Sequence, residues 1–183
     1  MSEHFIENLI NMALRKILLF GILSFTLMQS SCLRYSFTGT SIPEGINTIY
    51  IPFFPDQSNS GLGDLSDRLN QALIERFVNQ SRLQLANSEQ DADAILDGSI
   101  VGYSNRPFSI GGNEQANQNQ VRISVRGTFE YISEAEPLYS NKSFDGTFTF
   151  DPTDDPLNGE QSASNEALEQ IANNMFNDAV SSW

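Results

Sequence analysis

The chain has 183 residues, with 23 acidic against 10 basic side chains and a net charge of -13. An acidity of that size excludes the broad basic face that nucleic-acid phosphates require, so nucleic acid is not an expected partner. The chain has one cysteine, Cys32, and one histidine, His4, and once cut ahead of Cys32 it would keep no histidine and no free thiol for a Ser-His-Asp or Cys-His relay or for a thiolate and imidazole zinc site.

The first element in chain order is an export signal. Arg15 and Lys16 form a basic start, Ile17 to Met28 an apolar run, and Ser30 and Ser31 a small polar pair ahead of Cys32. The run is shorter than the about 20 apolar residues that a permanent span requires, and it fits the core of a signal peptide. A small residue just before a cysteine is what lipoprotein processing needs in order to attach a thioether-linked lipid and cut ahead of it. Residues 1–31 are therefore expected to be a signal peptide and Cys32 the lipidated N-terminus, although Gln29 stands where this signal usually has Leu. Lipidation also accounts for a lone cysteine in an oxidising compartment, where it has no intramolecular partner. Glu3, His4 and Glu7 precede the basic pair, which makes Met12 the expected start and leaves His4 in the discarded peptide. The cut removes Arg15 and Lys16 together with Glu3 and Glu7, so the acidity belongs to the processed chain.

Residues 32–45 read as a lipidated N-terminal segment and 46–183 as a single domain, a comfortable length for one core. Residues 46–54 are β-branched and aromatic enough for a strand, with Pro52 and Pro55 forcing an edge position or an early end. From Asp64 the period changes: Leu65, Leu69, Ala72, Leu73 and Phe77 fall on one face of a helix ending near Gln80. Ala94 to Tyr103 reads as a second main strand without clean alternation. Val121 to Ile132 does alternate: Val121, Ile123, Val125, Phe129 and Tyr131 point to one face and Arg122, Ser124, Arg126, Thr128 and Glu130 to the other. Phe144, Phe148 and Phe150 share a face of the next strand. From about Glu160 helical spacing returns, with Leu168, Ile171, Ala172, Met175 and Ala179 on one stripe and Phe176 and Val180 beside it.

The expected fold is an α+β two-layer sandwich, a mixed sheet of four or slightly more strands with two helices on one face. Between the second and third main strands, residues 104–120 read as a long polar loop, and compact domains seldom spend that length without a use. Carboxylates could in principle serve a glycosidase or a metal site. Asp91, Asp93 and Asp97, and likewise Asp151, Asp154 and Asp155, lack the glycine and terminal glutamate of a calcium loop. They read instead as a lead into a strand and a solvated turn. No metal, cofactor or catalytic residue is expected.

An ordered set of segments carries a family resemblance along the whole processed chain. It comprises Cys32-Leu-Arg-Tyr-Ser-Phe-Thr-Gly39, Ser41-Ile-Pro43, Thr48-Ile-Tyr-Ile-Pro-Phe-Phe-Pro55, Leu69 to Phe77 and Leu83-Gln-Leu85. It continues through Asp93-Ala-Ile-Leu-Asp-Gly-Ser-Ile100, Tyr103, Gly112-Asn-Glu-Gln-Ala116, Asn119, Phe176-Asn-Asp-Ala-Val180 and Trp183. In this order the segments resemble the lipopolysaccharide-assembly lipoproteins of the LptE family.

The resemblance implies an outer-membrane protein, lipid-anchored through Cys32 and facing the periplasm. It would plug and help to fold the large β-barrel LptD and assist lipopolysaccharide insertion into the outer leaflet. An acidic protein repels phosphates on average, so contact with lipopolysaccharide has to be local. Arg122 and Arg126, about 13 Å apart at strand rise, and Arg106 at the start of the long loop are the candidate phosphate contacts. The alternative is a lipoprotein of the CsgG or LpoB type, a secretion component or cell-wall synthase regulator, whose strands also contain a segment like Ala92-Asp-Ala-Ile-Leu-Asp-Gly-Ser99.

Overall fold

The computed structural model describes residues 42–108, 118–154 and 156–181. The signal peptide, Cys32, the middle of the long connection, Asp155 and Trp183 lie outside the described residues.

The first strand, β1 (Thr48–Tyr50), is short because Pro52 and Pro55 cannot donate to a ladder. It is nevertheless central in its half of the sheet, running parallel to β2 (Gln84–Leu85) on one side and to β3 (Ala94–Phe108) on the other. The sequence left an edge position or an early end open for this strand, and the structure takes the second. Beyond it the chain keeps contact with β3, where the Ile100 amide donates to the Pro55 carbonyl at 3.0 Å and the Gln57 amide to the Ile100 carbonyl at 2.8 Å.

The first helix, α1 (Leu65–Ile74), runs into a π-helical turn, Glu75–Asn79, capped at Gln80. Leu65, Leu69, Leu73 and Phe77 of its apolar stripe are all buried. After β3 come β4 (Gln118–Tyr131) and β5 (Tyr139–Phe150), both antiparallel, giving a five-stranded sheet in the order β2-β1-β3-β4-β5. The last helix, α2 (Pro156–Ser181), begins on a proline, which suits a first turn whose amides have no partner within the helix.

α2 packs across β4 and β5 with Leu168, Ile171 and Met175 facing the sheet, and α1 lies beside it. The tyrosine hydroxyls of Tyr131 and Tyr139 donate to the Ala179 and Met175 carbonyls of α2, each at 3.3 Å. Burial, with Asp178 nearby, pushes the Tyr139 phenol well above its ordinary value, so this bond keeps its proton. At Gly146 of β5 the seating is so close that a Cβ would stand 2.0 Å from the Ala167 carbonyl oxygen. The result is the expected two-layer α+β arrangement, with five strands.

One sequence expectation needs correction. Both ends of the long polar loop are strand: β3 continues to Phe108 and β4 starts at Gln118, with Ser104↔Arg122, Arg106↔Gln120 and Phe108↔Gln118 in register. A ladder needs only backbone groups, so polar residues prolong a hairpin without any apolar alternation to announce it. As expected, Phe144, Phe148 and Phe150 share one face, the helix-facing side by register, with unequal cover. Phe144 is buried, whereas Phe148 at the sheet's edge is 44% exposed.

Both sheet edges are blunted against further pairing. β2 is two residues long, and on β5 the Thr147 amide is taken by the Gln170 side chain of α2 at 2.8 Å while Lys142 pairs with Asp178.

Candidate functional site

With the helices on one side, the other side of β3, β4 and β5 is the place to look for function. Strand alternation puts Arg122, Ser124 and Arg126 on this open side, because Val121, Ile123 and Val125 are buried against α2. Arg106, Arg122 and Arg126 are all exposed, and register places the three on the same open face.

Cross-strand register arranges this face in rows. Arg122 lies between Ser104 of β3 and Thr147 of β5, and Arg126 between Ser99 and Ser143. The row between them is Gly102, Ser124 and Asp145. Arg106 stands further along, in the row of Gln120 and Thr149. A β-bulge between Ile100 and Gly102 makes this arrangement possible. It inserts one residue into β3, so that Gly98 and Ile100 on its near side and Tyr103 on its far side all face the helices. The bulge also explains why the sequence of this strand shows no clean alternation.

The charges on the face are partly compensated. Asp145 Oδ1 accepts the Ser124 hydroxyl at 2.5 Å and lies 3.7 Å from Arg122 Nε. Both partners of this ion pair are solvated, with 59% and 44% of their side chains exposed, so it contributes no more than about 1 kcal/mol. The row of Arg126 contains hydroxyls and no carboxylate. A guanidinium flanked by hydroxyls offers several donors to one oxyanion, the chemistry suited to a phosphate ester.

Other polar groups have structural work. Asp93 Oδ2 accepts the amides of Asn47 and Thr48 at 2.8 and 3.0 Å and the Thr48 hydroxyl at 3.0 Å, fixing the entry to β1. These bonds, the one from the Asn47 amide foremost, hold its carboxyl below the usual aspartate value. Asp151 accepts the Thr153 amide at 2.8 Å and its hydroxyl at 2.7 Å, closing the turn before α2. Tyr103 donates to Glu160 of α2 at 2.5 Å, and burial together with that carboxylate raises its phenol to about 12.

A polar groove of about 600 Å³ separates α1 from α2. Its arginines act as struts between the helices. Arg68 reaches the Gln161 carbonyl at 3.3 Å and the Asn165 side chain at 3.1 Å, and the Arg76 guanidinium lies 4.4 Å from the centre of the Phe176 ring.

The structure therefore brings Arg106, Arg122 and Arg126 onto one face, while Cys32 lies outside the described residues. Sequence reasoning missed Asp145. It sits 23 positions from Arg122 in the chain, and only the strand register makes them neighbours. The alternation of β5 placed Asp145 opposite the phenylalanines, and that was the one signal available.

The fold and this face define a class: an α+β domain that presents a polar, arginine-bearing sheet surface. Residues 46–181 match the family described as LptE, lipopolysaccharide-assembly, and the chain belongs to that family. It is thus a lipopolysaccharide-assembly lipoprotein and not an enzyme.

No curated protein matches the sequence. Among solved structures, a Xanthomonas campestris protein has a TM-score of 0.53 at 12% identity, with 78% of this chain and 90% of that one covered. This likeness shows the fold. An uncharacterized lipoprotein B from Nitrosomonas europaea has a TM-score of 0.47 at 14% identity, covering 76% and 91% of the two chains. The rare lipoprotein B from Shewanella oneidensis has 0.40 at 13%, covering 70% and 90%.

Proposed function

We propose that this protein is cut before Cys32, lipidated there, and held at the outer membrane facing the periplasm. In that place it plugs and helps to assemble an LptD-type β-barrel and assists lipopolysaccharide insertion into the outer leaflet. The reading is carried by one observation above the others: among the described residues the helices cover one side of the sheet, and its other side is polar and bears Arg122 and Arg126 between hydroxyls.

A barrel wide enough to pass a glycolipid has a lumen its own side chains do not fill. Its inner wall is polar, so a polar sheet face matches it better than an apolar one. Membership of the lipopolysaccharide-assembly family supports the same partners. One acyl chain alone anchors weakly and further chains make anchoring stable. The lipid on Cys32 thus supplies location, and the sheet supplies recognition, with Arg122, Arg126 and Arg106 as its phosphate contacts.

The test is affinity capture of the full chain from detergent-solubilised membranes of its own source. A single very large β-barrel, retained in stoichiometric amount, is the expected companion. Capture of a cell-wall synthase, or of a ring of the protein itself, would overturn the proposal in favour of a CsgG- or LpoB-type role.

A further inference from the structure

The two arginines at the centre of the open face are not equivalent. Arg126 has hydroxyls on both sides, whereas Arg122 is met at its Nε edge by Asp145 from the neighbouring row. Asp145 is itself held in place, because the Ser124 hydroxyl donates to the same Oδ1. Across from Ser124 stands Gly102, where a Cβ would come within 3.3 Å of the Ser124 Cβ and 3.5 Å of its Oγ. The missing side chain keeps that hydroxyl clear to turn toward Asp145.

We infer that Asp145 is a tethered counter-ion, which makes Arg122 a weak, exchangeable phosphate contact while Arg126 remains the firm one. The inference rests on the proposed binding of lipopolysaccharide phosphates at this face and adds to it an internal competitor. Asp145 approaches the Nε edge of the guanidinium, and the group has two further nitrogens with which to donate. An incoming phosphate monoester, with a charge of about -1.5 to -2 near neutral pH, outcompetes a single carboxylate for those donors. A carboxylate ligand or a phosphodiester, with one negative charge, gains little over what is already there. The pair is solvated, so displacing Asp145 costs no more than about a fivefold loss of affinity. A contact tuned in this way suits a protein that must release its glycolipid as well as hold it.

The full chain in detergent is tested for binding to lipopolysaccharide and to the same lipopolysaccharide stripped of its phosphates, at about 0.15 M salt where long-range charge is screened. Asp145→Asn keeps an oxygen for Ser124 and removes the charge. It should tighten binding of the phosphorylated ligand about two- to fivefold and leave the stripped ligand unchanged. Arg122→Ala should abolish that gain when combined with Asp145→Asn, and circular dichroism should show every variant folded. If Arg122→Ala weakens binding but Asp145→Asn does not tighten it, the counter-ion inference is wrong and the phosphate site stands. If Arg122→Ala and Arg126→Ala both bind like the parent, the site itself is wrong and the inference falls with it.

Discussion

Gly146→Ala is the perturbation that probes most sharply how the helix layer is seated on the sheet. The added Cβ would lie 2.0 Å from the Ala167 carbonyl oxygen, 2.8 Å from its carbon and 3.0 Å from Ile171 Cγ1. The first two are backbone atoms of α2, so no rotamer change relieves the clash. Restoring contact distance requires α2 to rise by about 1 Å, which loosens Leu168, Ile171 and Met175, all at most 1% exposed, from β4 and β5. Overpacking of this kind costs about 1–3 kcal/mol, and a clash with backbone belongs at the upper end. For a chain of this size about 3 kcal/mol lowers Tm by about 6–12 °C. The assay is urea unfolding followed by tryptophan-independent far-ultraviolet dichroism, in which the midpoint should fall while the slope stays constant. Gly63→Ala is the internal control. A Cβ there meets nothing within 4 Å, so its stability should match or slightly exceed that of the parent. A Gly146→Ala protein within about 0.5 kcal/mol of the parent would refute the close seating of α2 on β5.

Three further outcomes follow from individual groups. Asp93→Ala leaves the Asn47 and Thr48 amides without their acceptor and should cost about 1–2 kcal/mol in the same urea assay. Because the folded Asp93 pKa lies below the ordinary 3.8, its contribution is present above that pH and fades as pH falls through the depressed value. Acid titration of Asp93→Ala should therefore lack the part of the low-pH stability loss that Asp93 gives the parent. Tyr103, with its phenol raised to about 12, should stay protonated past pH 10 in an ultraviolet titration, and Glu160→Gln should bring its ionisation down. The raised value means that this group stabilises the fold fully below pH 10 and loses that contribution as pH rises toward 12. Cys32→Ala should abolish the lipid mass on the mature protein and shift it from the membrane to the soluble fraction. An unchanged membrane fraction would count against Cys32 as the anchor.

How much of this was legible in the sequence depends on what each element needs. β4 could be read from Val121 onward, because one face packs on α2 and the other meets water, so Val121 to Tyr131 alternate and reveal which side carries Arg122 and Arg126. α2 was equally plain from its stripe, Leu168 to Ala179. β2 was not, since Gln84 and Leu85 are both exposed and owe their strand state to pairing with β1 alone. The outer part of the β3–β4 hairpin reads as loop for the same reason: Ser104 to Arg106 and Gln118 to Gln120 are joined through backbone groups, and their side chains carry no period. The arginines of the candidate site were found from their strand, while Asp145 needed the register between two strands. Local pattern shows which way a side chain points, and only the assembled sheet shows what it points beside.

The central claim, that the open sheet face works against the inside of a large barrel, is tested most directly by photo-crosslinking in the native cell from a benzophenone side chain placed at position 126. The account predicts one dominant adduct, with a very large outer-membrane β-barrel, and a much weaker one from an equivalent probe at the buried face of α2. Adducts to a cell-wall synthase or to other copies of the chain, with the barrel absent, would contradict it.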